Sequence, residues 1–317
     1  MRGIFLDIDT VDRGDLDLGG LQATLPEWTF RTTGTGDAKE LPMQADVLVS
    51  NKVILDADTI KSTENLKLIC IAATGTNNID LAAAAEKGIT ICNVRSYATA
   101  SVVEHVFSLI LCLARSLPQY MQAVEHGRWQ QSDMFCMLDY PIMELAGQTL
   151  GIIGYGELGR AVAAMGHAFG MTVLIAERRG ATLRHGRTPF DEVLSRADIV
   201  SLHCPLTGDT HNLIGSAELQ RMKNNAILIN AARGGIVDES DLCDALLSGE
   251  IGGAALDVLS GEPPRSGNPL LSLMHPKLIV TPHVAWASHN SRQRLVNEIA
   301  ANIRAFLSGN PRNVVSN

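Results

Sequence analysis

One stretch restricts the folds open to this chain more than any other: Thr149 to Glu177, TLGIIGYGELGRAVAAMGHAFGMTVLIAE. It opens on Leu150-Gly151-Ile152-Ile153, an apolar run of the right length for a buried strand. Gly154, Gly156 and Gly159 follow at the spacing G-x-G-x-x-G. Ala161, Val162, Met165 and Phe169 then recur at helical spacing, and Gly170 sits where a helix stops. A second apolar run, Val173 to Ala176, ends at Glu177, 18 residues after Gly159. The three glycines serve different ends. Gly154 permits a tight turn, Gly156 lets backbone approach a pyrophosphate, and Gly159 lets the helix pack closely on the strand. The helix start offers N–H groups and a partial positive charge to that pyrophosphate, and Glu177 can accept hydrogen bonds from an adenosine ribose. The glycine spacing alone is a weak signal. Set in a strand–turn–helix–strand–acid order it points to a dinucleotide site, the alternative being a glycine-rich turn with no ligand.

The totals narrow the class further. A chain of 317 residues suggests about two domains and can bury a sizeable core. Hydrophobic residues make up 46% and charged residues 19%, which suits a soluble enzyme. The net charge of −8 is spread without any basic run, arguing against nucleic acid or an anionic membrane as partner. Cys70, Cys92, Cys112, Cys136, Cys204 and Cys243 form no C-x-x-C pair, so no metal site and no disulfide framework is expected. The first ten residues carry acids where a signal peptide needs an apolar stretch, and no apolar run reaches membrane-spanning length. The expectation is a cytoplasmic, thiol-reduced protein.

Before the glycine turn, residues 3–8, 45–50, 66–73 and 89–94 read as buried strands separated by polar segments and short helices, such as that from Ile79 through Ala85. That alternation is the logic of a parallel sheet. Its strand ends carry Ser50-Asn51-Lys52 and Ala73-Thr74-Gly75, where Lys52 can attract an anion and Thr74-Gly75 can offer backbone N–H groups. Residues 101–117 read as one long apolar helix, with Glu104 and His105 as structural residues; residues 126–141 read as a loop containing Trp129, Met134, Phe135 and Met137. After Glu177, strands are expected at 199–203, 226–230, 253–258 and 278–281, and a closing helix at 289–307.

Three chemically capable side chains fall just past strand ends of this second sheet: Arg233, Glu262 and His283. Ligands of open α/β sheets bind beyond those ends. Arg233 offers a planar fork for a carboxylate. His283 can exchange a proton near neutral pH, and Glu262 can orient its ring and favour its charged form. Singly, each is more simply a loop arginine, a turn glutamate and a strand-end histidine; their common position favours a site for hydride transfer to or from a 2-oxo or 2-hydroxy acid.

These residues sit in Asn-Ala-Ala-Arg-Gly-Gly, Ala-Leu-Asp-Val-Leu-Ser-Gly-Glu-Pro-Pro and Thr-Pro-His-Val-Ala-Trp-Ala-Ser. Together with the glycine turn, Leu202 to Thr207 and Ala73-Thr74-Gly75, they make the chain resemble the D-isomer-specific 2-hydroxyacid dehydrogenases over residues 52–288. His-Val-Ala-Trp-Ala-Ser and Ser-Asn-Lys are similar to the glycerate dehydrogenase (hydroxypyruvate reductase) branch. The resemblance implies NAD-linked reduction of a small 2-oxo acid, hydroxypyruvate or glyoxylate, to the D-2-hydroxy acid. It implies that His283 is the acid/base, Glu262 its partner, and Arg233 the carboxylate and carbonyl ligand. Asp257 would hold the nicotinamide amide, Glu157-Leu158 would present backbone to the pyrophosphate, and Cys204-Pro205 with Ala231-Ala232 would line the adenosine and nicotinamide sides. Lys52 and the Thr74-Gly75 backbone would meet the substrate, with Trp286 as a pocket wall.

The implied fold is α/β with two doubly wound parallel-sheet domains. A Rossmann NAD(P)-binding domain (99–287) is inserted into a flavodoxin-like substrate domain (1–98 and 288–317), and the nucleotide domains form a homodimer. The usual acid after the second strand is aspartate; here it is Glu177. The acid favours NAD, while Arg178, Arg179 and Arg184 keep NADP open. Two other readings also stand. One is an NAD-sensing corepressor-like binding protein, which lacks support from any long polar tail; the other is a same-fold enzyme such as a formate dehydrogenase.

Overall fold

Short β-branched and leucine-rich runs frame two parallel sheets. A computed structural model describes residues 1–32 and 44–315; residues 33–43 and 316–317 of the expected substrate domain lie outside the described residues. The chain divides into one unit of Met1–Ala98 with Trp286–Asn317 and another of Thr99–Ala285, so Trp286 and Ala287 belong to the first.

In the first unit, strands β1 (Arg2–Phe5), β2 (Glu27–Phe30), β3 (Val47–Ser50), β4 (Leu68–Ile71) and β5 (Thr90–Cys92) are all parallel. Their order is β2-β1-β3-β4-β5, the flavodoxin-like arrangement. β3 and β4 are buried at every residue, as strands covered on both faces must be. β2 is a strand that the apolar pattern does not predict: Glu-Trp-Thr-Phe is a half-exposed edge segment with no continuous apolar run. The switch point of this sheet lies between β1 and β3. There the buried Asp7 accepts backbone N–H groups from Asn51 (2.9 Å), Lys52 (2.6 Å) and Val53 (3.2 Å). Burial pushes the Asp7 pKa up, against the pull of those three N–H donors.

The helix His289–Leu307 completes this unit. Ser288 caps it by accepting the Ser291 N–H, and Leu295, Val296, Ile299 and Ile303 form its buried face. Beyond it, Val314 pairs antiparallel with Cys92 on β5. Asn302, fully buried, closes the joint: its Nδ2 donates to Asn93 O (2.9 Å), and its Oδ1 accepts from Asn313 Nδ2 (3.0 Å).

In the second unit, β6 (Thr149–Ile153), β7 (Thr172–Ile175), β8 (Ile199–Leu202), β9 (Ile227–Asn230), β10 (Gly253–Leu256) and β11 (Leu278–Val280) form a parallel sheet in the order β11-β10-β9-β8-β6-β7. A lone parallel bridge, Ala176 to Thr188, extends it past β7. Counting Thr188 as this unit's third strand gives the Rossmann order, third-second-first-fourth onward. That strand shrinks to one bridge because residues 178–187 are rich in arginine and glycine and lack an apolar run.

The long helix expected at 101–117 is two helices, Thr99–Ala114 and Leu117–Glu125, bent by 61°. Ser116 between them takes a left-handed backbone, φ 48°, which ends the first helix, and Pro118 begins the second. The first packs on the helix Glu157–Ala168 and on β9 and β10, burying Val102, Val103, Val106, Phe107 and Ile110. Among the described residues, no single helix is long and apolar enough to cross a membrane.

Replacing Asn302 by Ala strands the Asn93 carbonyl and the Asn313 amide inside the first unit. A loss of about 1–3 kcal/mol in urea unfolding is expected; an unchanged midpoint would remove Asn302 as the tie between helix and sheet.

Candidate active site

The glycine turn follows β6 directly. Gly154 has φ 92°, and a Cβ there would lie 2.5 Å from Cys204 N, in the backbone leaving β8. A Cβ on Gly159 would lie 2.0 Å from the Gly154 carbonyl oxygen. Both positions therefore exclude side chains, and the turn is locked between helix and neighbouring strand. A Cβ on Gly156 would meet nothing within 4 Å, so the space above this N-cap residue is open. Turn and open N-terminus together fit a pyrophosphate, held by backbone N–H groups at the start of Glu157–Ala168 with Leu158 in its first turn. Glu157 itself accepts a hydrogen bond from Thr99 Oγ1.

Glu177 lies immediately past β7 and is 3% exposed. Its oxygens accept Arg184 Nε (2.7 Å) and Nη2 (2.6 Å), with backbone N–H groups of Arg178 (2.9 Å) and Arg184 (3.2 Å). The Arg184 guanidinium, helped by the Arg178 backbone, holds its carboxyl down to about 2. Of the other arginines, Arg179 pairs with Glu218 (2.6 Å) above the Phe190 ring, and Arg187 lies over Tyr155. Arg184 and Arg179 are thus engaged with carboxylates.

The three side chains singled out by chemistry all belong to the second unit. His283 Nδ1 lies 2.6 Å from Glu262 Oε2, while Glu262 Oε1 accepts the Leu259 N–H at 2.8 Å. One carboxylate thus anchors in a loop and orients the ring. His283 takes a left-handed backbone, φ 55°, with its N–H donating to Asp257 O (2.8 Å) and Thr281 O (3.0 Å). A non-glycine residue in this region costs energy that the surroundings offset, as is common at functional positions. Arg233 is exposed just past β9; its Nη1 donates to Ala232 O at 2.7 Å.

Several residues position this group. Asn230, 1% exposed at the end of β9, folds the Arg233 loop: its Oδ1 accepts Ala232 N–H (3.1 Å) and its Nδ2 donates to Arg233 O (2.9 Å). Gly234 seats that loop on the next one, since a Cβ there would lie 1.8 Å from Leu259 O. Glu239 holds the far side of the Glu262 loop by accepting Ser260 N–H (2.6 Å), Ser260 Oγ (2.7 Å) and Asn268 Nδ2 (2.7 Å). Asp257, 1% exposed, accepts Thr281 Oγ1 (2.5 Å), Val284 N–H (2.9 Å) and Ala285 N–H (2.8 Å). Burial alone would push its carboxyl up; bonds from His105, Thr281, Ala285 and Val284 outweigh burial and hold it below the usual carboxylate range. In this structure Asp257 knits the segment that carries His283. His105 joins it through Thr281 Oγ1 at 3.0 Å.

Cys204-Pro205 follow β8, and Ala231-Ala232 follow β9, at the same edge of the sheet. Burial pushes the pKa of His203 beside them down to about 4, and its Nε2 lies 2.9 Å from Ser201 Oγ. On the first unit, Lys52 follows β3, its backbone N–H held by Asp7. Thr74 is fixed by donating Oγ1 to Val94 O (2.8 Å) and by accepting Asn93 Nδ2 at its carbonyl (2.8 Å), which settles Gly75 next to it. Trp286 meets the Tyr97 ring edge to face, centroids 6.2 Å apart. Among the described residues, no cluster of three His, Cys, Asp or Glu could hold a metal ion.

Asn230, Gly234, Glu239 and Asp7 are not singled out by sequence pattern. Asn230 and Gly234 lie inside Asn-Ala-Ala-Arg-Gly-Gly, so their adjacency to Arg233 is a usable signal. Asp7 and Glu239 act across long sequence separations that no local pattern reveals.

Residues 107–285 match the family model described as D-isomer specific 2-hydroxyacid dehydrogenase, NAD binding domain. The chain is 46% identical over 308 residues to the glycerate dehydrogenase of Methylorubrum extorquens, covering 95% of this chain and 97% of that one. It is 36% identical over 323 residues to the hydroxypyruvate reductase of Blautia hydrogenotrophica, covering 100% of each. The solved structure of D-lactate dehydrogenase from Aquifex aeolicus, complexed with NAD and lactic acid, superposes with a TM-score of 0.80 at 28% identity and covers 100% of both chains.

Substituting Gly234→Ala must push the Arg233 loop off the Leu259 carbonyl, because 1.8 Å leaves no room for a methyl group. Turnover should fall at least tenfold while NADH binding, followed by fluorescence, stays within about twofold. Retained turnover would show that Arg233 and Glu262 need no shared support.

Proposed function

The chain belongs to the D-isomer specific 2-hydroxyacid dehydrogenases, oxidoreductases with an NAD-binding domain, and from that premise we propose that it reduces a small 2-oxo acid to its D-2-hydroxy acid with His283 as acid/base. The contact between His283 Nδ1 and Glu262 Oε2 at 2.6 Å carries this reading. With Nδ1 held by the carboxylate, Nε2 is the ring nitrogen that serves the reacting oxygen. Glu262 fixes the ring orientation, so that Nε2 is presented for proton exchange.

A nicotinamide coenzyme held at the glycine turn would supply hydride to C2 of the substrate or accept it from there. His283 gives its proton to the carbonyl oxygen during reduction and takes it back during oxidation. Arg233 binds the carboxylate and supports the developing oxyanion, a contribution of about 3–4 kcal/mol for such a donor. Lys52 and the Thr74-Gly75 backbone are assigned to the substrate carboxylate, and Trp286 to the wall of its pocket. Glu157, Leu158, Cys204, Pro205, Ala231 and Ala232 are assigned to the coenzyme, whereas Asp257 is assigned to positioning His283. The coenzyme is taken to be NAD, with Glu177 and Arg184 paired beside its adenosine end and Arg179 turned to Glu218.

The hydroxypyruvate reductase of Blautia hydrogenotrophica favours hydroxypyruvate as substrate, and the glyoxylate reductase of Korarchaeum cryptofilum, 36% identical over 269 residues, puts glyoxylate next. The six cysteines are free thiols, which fits a reducing compartment and supports the cytoplasm. A homodimer through the second unit is supported by apolar side chains bared along residues 117–142: Phe135 is 91%, Leu138 70% and Met121 62% exposed.

Two measurements test this reading. Small 2-oxo acids offered with NADH and with NADPH should be turned over, hydroxypyruvate fastest and NADH preferred, and His283→Gln should lose at least a thousandfold in kcat with NADH affinity kept. Tight NADH binding without turnover of any acid would move the reading to a coenzyme-sensing protein. Sedimentation velocity at micromolar concentration should return twice the chain mass, and Phe135→Glu should shift it toward one; a monomeric parent protein refutes the dimer.

A further inference from the structure

A hollow of about 600 Å³ opens in the first unit beyond the carboxyl end of its edge strand β5. Arg95, Ser96 and Tyr97 after β5, Arg294 and Glu298 on the helix His289–Leu307, and Arg312 and Asn313 beyond that helix line it, and Tyr97 is the ring that meets Trp286. Three guanidinium groups face one carboxylate, leaving two positive charges in excess. Arg312 pairs with Glu298 at 2.5 Å, and among the described residues no other carboxylate forms an ion pair with these arginines.

Their hydrogen bonds leave most donors unspent. Arg95 uses Nε, toward Asn93 Oδ1 at 3.3 Å. Arg294 uses Nε toward Tyr97 O (2.8 Å) and Nη2 toward Ser291 Oγ (3.1 Å). Arg312 uses Nη2. A guanidinium carries five N–H donors in a planar fork, so each arginine retains donors suited to an oxyanion.

The walls are also pre-set. Ser96 and Asn313 both hold left-handed backbone, φ 59° and 52°, an uncommon conformation for residues other than glycine. The buried Asn302 links both sides, through Asn93 O and Asn313 Nδ2, so little ordering remains to be done on binding.

We propose that this hollow binds a phosphate dianion, either free or carried as an ester on a small metabolite. Two excess positive charges match a dianion, and forked donors from several directions match the oxygens of a tetrahedral group. The hollow shares a hydrogen-bonded wall with the loop after β4: Arg95 donates to Asn93 Oδ1, and Asn93 Nδ2 donates to Thr74 O.

The test uses the holoenzyme with saturating NADH, so that the glycine turn is already occupied. Inorganic phosphate and glycerol 2-phosphate are titrated by calorimetry against sodium chloride at matched ionic strength. Saturable one-site binding is expected, weakened at least tenfold in Arg95→Ala and in Arg312→Ala, and tightened several-fold in Glu298→Gln, which removes the opposing charge. Unchanged NADH affinity and circular dichroism in these variants report intact folding. Tighter binding of the ester assigns the site to a phosphorylated metabolite, and tighter binding of inorganic phosphate assigns it to the free ion. A response no larger than that to chloride, or one equal in the parent protein and both arginine variants, overturns the proposal.

Discussion

Backbone packed directly on backbone at one edge of the second sheet is the constraint on which its site depends. Gly159 sits against the Gly154 carbonyl, Gly154 against the start of the Cys204 peptide, and Gly234 against the Leu259 carbonyl, each too close for a methyl group. These contacts join consecutive strand-end loops without intervening side chains. Such an edge has little freedom to spread, so the residues it carries keep their mutual positions.

Charge is arranged around that edge with the same economy. Glu262 divides its oxygens between a backbone N–H and the His283 ring, so one carboxylate both anchors and orients. Asp257 is buried and committed to the segment carrying His283, with its charge met by hydrogen bonds rather than water. His203, whose own backbone meets the glycine turn, is kept neutral by burial. In the first unit Asp7 plays a comparable part at the switch point, gathering three consecutive N–H groups after β3.

The pairing of Glu177 with Arg184 gives the acid after β7 a second significance. A carboxylate free to meet a ribose and one already holding a guanidinium present different surfaces to a coenzyme. The arginines that keep the choice of coenzyme open in sequence are partly resolved by their contacts: Arg179 turns to Glu218 and Phe190, and Arg184 to Glu177 itself. The long arginine-rich connection that supplies them is also why the third strand survives as a single bridge.

Much of this is legible in the chain. Buried parallel strands are continuous apolar runs, so most strands, the glycine turn and the helix His289–Leu307 can be read from periodicity and spacing. Arg233, Glu262 and His283 can be found because each follows a strand end, where this topology collects ligands. Other features depend on contacts between distant segments. β2 is a polar edge strand whose pairing, not composition, makes it a strand. The helix expected to run unbroken to Leu117 ends early because Ser116 adopts a left-handed backbone that no apolar pattern records. Local sequence determined which elements form and where Arg233, Glu262 and His283 fall relative to the strand ends, because hydrophobic periodicity and turn chemistry act over a few residues. Tertiary structure alone decided that Glu262 meets His283, that Arg184 takes Glu177 and that three arginines surround one hollow, because hydrogen bonds and charge pairing depend on distance in space.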